Sequence, residues 1–450
     1  MRTVDESEMI ELERRLAADG IDGLWIVFHD YSSRACAKWI PRSELHDAIR
    51  SGGVFAKANL NFTIDDQQAP EPRFAADSGD FFAVPDPSTY APVPYRNGIG
   101  RVLSYLQLED GTLWDGCPRG RLVRALDTLA ERGFSAQVAF EPELSLFRRD
   151  DDGRYTPVDA FAMYSVDRID ANADLMSRVQ QALDAQGVRV IQIGSEYGPG
   201  QVELNLHHEH PMKAADDLVT FRETVKALAR DAGLIASFMP KPFETLAGSG
   251  VHVHLSLWDR DGAESRSEGD GPLGLSREMA RFMAGVLAHG PAICGGGAPT
   301  VNSYKRLLPG SWAPAHIAYG TENRATLVRV PGSSRCRIEF RAGDHTANPY
   351  LLLAALVAAG IDGLDRELDP GKPVSGDIGH ISQRELNERG IGLLPRSAHE
   401  ALDAVESDAV VMRALGDVCG PELLRIKRYE LQRYDTQVSE WERAVYFERT

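Results

Sequence analysis

The stretch that most constrains this chain is Val138-Ala139-Phe140-Glu141-Pro142-Glu143-Leu144-Ser145-Leu146-Phe147, in which apolar residues surround two glutamates. Such a run reads as a buried strand, and residues two apart on a strand share a face, so Glu141 and Glu143 point the same way. Side by side in a low-dielectric setting, two carboxylates repel and rise in pKa unless cations neutralise them. The strand therefore calls for metal ions or arginines from other segments. Taken alone, the pair also fits a half-exposed strand with both side chains in solvent.

Three further stretches repeat the peculiarity. In Gly250-Val251-His252-Val253-His254-Leu255-Ser256-Leu257 the polar residues share one face and the apolar ones the other. The same alternation groups Arg337, Glu339 and Arg341, while Glu196 and Glu203 bracket a Tyr-Gly-Pro-Gly-Gln-Val loop. A single histidine or an Arg-Glu-Arg triplet is usually structural. Four such strands together outline a sheet or open barrel with one polar face of five glutamates and at least one histidine. Carboxylates with a neutral imidazole suit hard divalent cations, Mg²⁺ or Mn²⁺, better than zinc, since no cysteine pair accompanies the histidines. Arg306, Arg324, Arg329, Arg337 and Arg341 follow within a short span. Arginines beside metal-binding carboxylates are what phosphoryl transfer needs, and no GxxxxGK[ST], and no GxGxxG following a strand, offers another phosphate site.

The net charge of −17 argues against nucleic-acid or anionic-membrane partners, both polyanions. Five scattered cysteines without CxxC spacing fit a reduced cytoplasmic compartment. The acidic, amphipathic N-terminus does not read as a signal peptide, and the apolar stretch from Pro349 to Ile361 is too short to span a bilayer, so it is expected to be a core helix. At 450 residues, two domains are expected. A short helix over 6–18 and strands near 24–28 and 37–40 precede a Gly- and Pro-rich, mostly β region from 51 to 111. A helix over 121–132 opens a larger domain of alternating strands and helices, and a mostly helical tail runs from 398 to 447.

Six stretches, Glu141-Pro142-Glu143, Glu196 to Glu203, Gly248 to His254, Asn302 to Gly310, Asn323-Arg324 with Arg329, and Glu339-Phe340-Arg341 followed by Ala347-Asn348-Pro349-Tyr350, stand in an order that resembles the glutamine synthetase family. The resemblance covers nearly the whole chain. It implies an α+β fold, with an N-terminal β-grasp domain (1–111) and a catalytic domain (112–450) built on an open antiparallel barrel-like sheet. It also implies a homo-oligomer, usually two stacked hexamers, with active sites between neighbouring subunits. By resemblance, Glu143, Glu196 and Glu203 match the ligands of one metal ion, and Glu141, His252 and Glu339 those of a second. Arg324, Arg329 and Arg337 match residues near the ATP phosphates, His254 and Ser256 flank the nucleotide, and Glu143, Gly248, Arg306 and Arg341 match the glutamate site. The implied chemistry activates the γ-carboxylate of glutamate as an acyl phosphate, which an amine then attacks.

Departures from that pattern carry the finer expectation. Trp312 stands where ammonium-using members place a glutamate, and Ala56 where they place an ammonium-binding aspartate from the neighbouring subunit. Ala247 replaces the usual asparagine before Gly248. Ammonium needs negative charge to bind and a base to lose its proton. Trp312 and Ala56 offer apolar surface instead, which suits the carbon skeleton of an organic amine. The sequence thus leads to an ATP-dependent glutamate–amine ligase in which Arg324, Glu196 and Trp312 act in the chemistry. The alternatives are an ammonium-using glutamine synthetase and a non-catalytic relative.

Overall fold

A computed structural model of the chain describes residues 6–332, 336–376 and 378–449; residues 1–5 of the acidic N-terminal stretch lie outside it, as do 333–335, 377 and 450. The first helix forms over Glu6–Ala18 and turns Met9, Leu12 and Leu16 inward, the three-and-four spacing of one helix face. A small sheet follows, of β1 (Gly23–His29), β2 (Ala35–Pro41), β3 (Gly53–Ala56), β4 (Asp80–Pro85), β5 (Ala91–Pro92) and β6 (Ile99–Gln107). Its order is β2-β1-β6-β4-β3, with β5 against β6. β1 and β6 pair in parallel, the other neighbours antiparallel, and the helix Leu45–Ser51 lies on the long connection that a parallel pair requires. This is the β-grasp arrangement expected of the N-terminal part.

The large sheet comprises β7 (Phe134–Arg149), β8 (Tyr155–Pro157), β9 (Val190–Ser195), β10 (Gln201–Leu206), β11 (Ile235–Ser237), β12 (Val251–Asp259), β13 (His316–Thr321), β14 (Thr326–Val330), β15 (Ile338–Phe340) and β16 (Gly392–Leu393). Its order is β16-β13-β14-β15-β12-β7-β10-β9, with β8 and β11 also on β7. The pairing is antiparallel as expected except between β13 and β14, which run parallel. Glu322, just after β13, is held at φ 51°. Val138, Phe140, Leu144 and Leu146 of β7 are fully buried, which leaves Glu141 and Glu143 on the opposite, open face.

Helices cover the buried face. The apolar stretch at 349 extends beyond expectation into a helix over Pro349–Asp365, started by Asn348, whose side chain accepts from the amides of Tyr350 and Leu351. It is apolar on almost every side because it lies at the centre of the core. A Cβ on Gly285 of the helix Arg277–Ala288 would collide with the Ala359 carbonyl, so a glycine is needed for the two helices to approach. Among the described residues, no helix is long and apolar enough to cross a membrane.

Buried charges join the small sheet to the helix Pro211–Asp231. Arg119 bonds Asp86 at 2.9 Å and Asp216 at 2.8 Å, and Asp216 also accepts from the Tyr350 hydroxyl at 2.7 Å. His29 of β1 meets Glu223 at 2.6 Å.

Candidate active site

The strand register assembles the polar face. His252 stands opposite Glu141 across β7 and β12, His254 opposite Glu339 across β12 and β15, and Glu203 opposite Glu143 across β10 and β7. Nδ1 of His252 lies 3.5 Å from Glu141 and 3.4 Å from Glu339, and Nε2 of His254 lies 2.9 Å from Glu141. Neither nitrogen is aligned in a hydrogen bond, although both histidines are buried. Among the described residues, donor atoms of Glu141, His254 and Glu339 all fall within 4.8 Å of one another. Arg337 Nε donates to Nδ1 of His254 at 3.0 Å, so a neutral His254 carries its hydrogen on Nε2, towards Glu141. That tautomer makes His252 Nδ1, facing Glu141 and Glu339 together, the better-placed nitrogen ligand.

Electrostatics divide the carboxylates into two kinds. Burial opposes ionisation of Glu339, but Arg341, His252 and His254 hold its carboxyl below the usual range; Arg329 bonds it at 2.6 Å and Arg341 bonds it as well. Burial likewise opposes ionisation of Glu141, and the two histidines pull its carboxyl far down. On the other side, burial pushes Glu143 up to about 7, partly offset by Arg306. Glu203 is lifted to about 9 by burial and by the charges of Glu141, Glu143 and Glu196, and Glu196 is raised chiefly by burial. Carboxylates gathered this closely need protons or a cation. The unaligned imidazole nitrogen of His252 and an all-oxygen set from Glu143, Glu196 and Glu203 fit hard divalent cations.

Arg306 and Arg341, expected at the glutamate carboxylates, are buried and already engaged with the protein. Arg306 donates to the carbonyls of Arg341 at 3.0 Å and Gly343 at 3.3 Å. Arg341 donates to the carbonyls of Arg324 at 3.2 Å and Trp312 at 3.4 Å, besides its pair with Glu339. Arg306 packs on Gly248, where a Cβ would lie 2.7 Å from the Pro240 carbonyl and 3.0 Å from Arg306 Cγ. Arg324 is exposed and borders Trp312, Glu322, His316 and His380 around a cavity of about 450 Å³. Trp312 is 75% exposed and held at φ 61°, a left-handed conformation unusual for so bulky a residue. Ala56 lies exposed at the end of β3 and, within one chain, is not among the residues lining that cavity. His254, Ser256, Arg337, Trp258, Ile191 and Glu141 line a further cavity of about 670 Å³.

Three further residues shape the site. Gln201 Nε2 donates to the Gly248 carbonyl at 2.9 Å and Glu143 at 3.3 Å, and its Oε1 accepts from Gly198 at 2.8 Å. The Tyr164 hydroxyl donates to Glu196 at 3.2 Å. Arg168 holds the carbonyls of Glu196 and Gly198. Only Gln201, inside the Glu196–Glu203 bracket, was within reach of a sequence pattern. Tyr164 and Arg168 come from a segment without regular periodicity.

The family described as glutamine synthetase, catalytic domain, matches residues 115–446. The chain is 35% identical over 442 residues to the glutamine synthetase of Halobacterium salinarum, covering 96% of this chain and 95% of that protein. It is 37% identical to the glutamine synthetase of Methanocaldococcus jannaschii over 379 residues, 82% of this chain and 83% of that protein. Among solved structures, a GmaS/ADP complex superposes with a TM-score of 0.88 at 31% identity, covering 97% of this chain and 99% of that one. A structure described as a novel glutamine synthase homolog gives a TM-score of 0.82 at 28% identity, over 94% and 96% of the two chains.

Proposed function

We propose that this chain, which belongs to the glutamine synthetase family, is an ATP-dependent ligase that joins the γ-carboxylate of L-glutamate to an organic amine larger than ammonia. The observation that carries this reading is Trp312. It borders the Arg324 cavity with an exposed apolar ring, at a position where the family resemblance places a glutamate in ammonium users. The likeness to the solved GmaS/ADP complex, a structure not named as a glutamine synthetase, supports it.

In the first half-reaction the glutamate γ-carboxylate attacks the terminal phosphorus of ATP, releasing ADP and leaving γ-glutamyl phosphate. The amine nitrogen then attacks the acyl carbon, inorganic phosphate departs, and the surplus amine proton passes to Glu196. Glu143, Glu196 and Glu203, and Glu141, His252 and Glu339, would hold two or more Mg²⁺ or Mn²⁺ ions, whose positive charge would offset that of the transferring phosphoryl group. Arg324 adds positive charge from the cavity side, and Arg329 and Arg337 border the phosphates. The nucleotide takes the cavity of His254 and Ser256. Glutamate lies near Glu143 and Gly248, above Arg306 and Arg341, whose present bonds to backbone carbonyls and Glu339 make them a rigid floor.

We place the domain division at 111/112 and assign a dodecameric assembly in which Ala56 of one subunit reaches Trp312 of the next. The cytoplasm is the compartment that fits, since all five cysteines are free. Neither nucleic acid nor membrane is part of this reading. Ammonium use is the second reading, favoured by the name glutamine synthetase borne by the curated relatives. Mass spectrometry of the product formed from glutamate, ATP and a mixture of methylamine, ethylamine, ethanolamine and ammonium separates them: γ-glutamyl alkylamides support the proposal, and glutamine as the dominant product removes it.

A further inference from the structure

Glu196 sits on the loop between β9 and β10, and strand register alone does not orient it. The loop is gripped from outside by Arg168, whose side chain is 2% exposed. Arg168 Nε donates to Asp159, also 2% exposed, at 3.0 Å. One terminal nitrogen donates to the carbonyls of Glu196 at 2.5 Å and Gly198 at 2.8 Å, and the other to the carbonyl of Phe161. The second oxygen of Asp159 accepts from Asn172 at 3.3 Å. Every nitrogen of the guanidinium is thus occupied, and three of its four partners are carbonyls of irregular backbone.

Burying such a pair costs desolvation that its attraction only roughly offsets, so its contribution to stability is small beside its effect on geometry. The geometry here is specific. Phe161 and Glu196 belong to two loops, and Arg168 ties them together. Three residues beyond Phe161, Tyr164 is held at φ 58° and puts its hydroxyl 3.2 Å from Glu196 Oε2, while the Tyr197 amide donates to the same oxygen at 3.2 Å. From the inner side, Gln201 fixes Gly198 and reaches Glu143. The Glu196 carboxylate is therefore aimed by one loop that Arg168 docks and by its own backbone, which Arg168 also anchors.

We infer that Arg168, through its buried pair with Asp159, is a positioning residue that docks the Tyr164 loop onto the Glu196 loop and so sets the cation affinity and amine use of the site. The inference rests on Glu196 serving as metal ligand and proton acceptor, as proposed above. Lysine at 168 keeps the charge but lacks the planar fork that reaches both loops. Loss of a residue that orients a metal ligand typically costs about 10–100-fold in metal affinity or activity.

The test compares the full-length wild-type enzyme with Arg168→Lys, Asp159→Asn and Tyr164→Phe. Mn²⁺ binding is followed by the electron paramagnetic resonance of free Mn²⁺ without nucleotide, beside steady-state kinetics and thermal unfolding. Arg168→Lys and Asp159→Asn are expected to weaken Mn²⁺ binding about tenfold or more and to lower kcat/KM for the amine by a similar factor, with KM for ATP changed less than about threefold. Tyr164→Phe is expected to reproduce part of the amine effect. Mn²⁺ affinity and amine kinetics within twofold of wild type in a folded variant would overturn the inference, and if Arg168→Lys does not fold, Asp159→Asn decides it on the same readouts. A wild-type enzyme without amine-dependent ATP turnover sinks the ligase reading, whereas the Mn²⁺ comparison still decides the role of Arg168.

Discussion

Glu203 stands directly opposite Glu143 across β10 and β7, two acids on one rung of an antiparallel ladder, with burial lifting the first to about 9 and the second to about 7. Like charges opposite each other destabilise a sheet. Their carboxyl pKa in the folded chain exceeds the ordinary 4.5, so between these values the metal-free folded state binds more protons than the unfolded one. The contribution of these two carboxylates to metal-free stability should therefore fall as pH rises from about 4.5 towards 9, opposed below 6.5 by His252, which burial lowers to about 4. Divalent cations displace those protons, so Mg²⁺ should raise Tm more at pH 8.5 than at pH 6, and a chelator should cancel the gain. Equal Mg²⁺ stabilisation at both values would show that these carboxylates do not hold the ion.

His289 sits between Asp408, 2.6 Å from Nδ1, and Asp362, 3.0 Å from Nε2, and Arg366 bonds the same Asp362 oxygen at 2.8 Å. Both ring nitrogens face acceptors, a geometry that only the imidazolium satisfies, and the Asp408 hydrogen bond raises the His289 pKa above 6.5. A raised histidine contributes stability that is present below its unfolded pKa and is lost as pH rises through the folded value. His289→Gln should destabilise the chain by roughly 1.5–3 kcal/mol at pH 6 and by less at pH 9, measured by denaturant titration.

Removing Arg119 leaves Asp86 and Asp216 buried without their cation. Arg119→Met should cost about 3–5 kcal/mol, seen as a lowered Tm that excess Mg²⁺ does not restore. A change within about 0.5 kcal/mol would mean that the buried Arg119 pairs contribute nothing net to stability.

Much of the site was readable in advance because period-two alternation is a local property. Glu141 and Glu143, His252 and His254, and Arg337 to Arg341 each declared a shared face from a few consecutive residues. What alternation cannot supply is register, which sets His252 opposite Glu141 and His254 opposite Glu339 and so brings both imidazoles to Glu141. It also cannot show what an arginine bonds to. Arg306 and Arg341 read as ligand-binding cations, yet the folded chain surrounds them with its own carbonyls. Tyr164 and Arg168 lie in the loop and short helix after β8, where position depends on long-range docking rather than on any periodic pattern. The parallel β13–β14 pair escaped for a similar reason, since strand direction, like register, is not carried by alternation.

Restoring the two missing acids is a direct probe of amine choice. Trp312→Glu with Ala56→Asp should raise the ratio of ammonium to alkylamine kcat/KM by about tenfold or more, one charged hydrogen bond being worth roughly 1.5–3 kcal/mol. An unchanged ratio would remove both residues from the amine pocket.

The most direct measurement is kcat/KM of glutamate-dependent ATP turnover across ammonium and a panel of alkyl, hydroxyalkyl, aryl and polyamine substrates at saturating Mg²⁺. An organic amine exceeding ammonium by at least about tenfold, a difference of about 1.4 kcal/mol, is the expected result. Ammonium giving the highest value would contradict it.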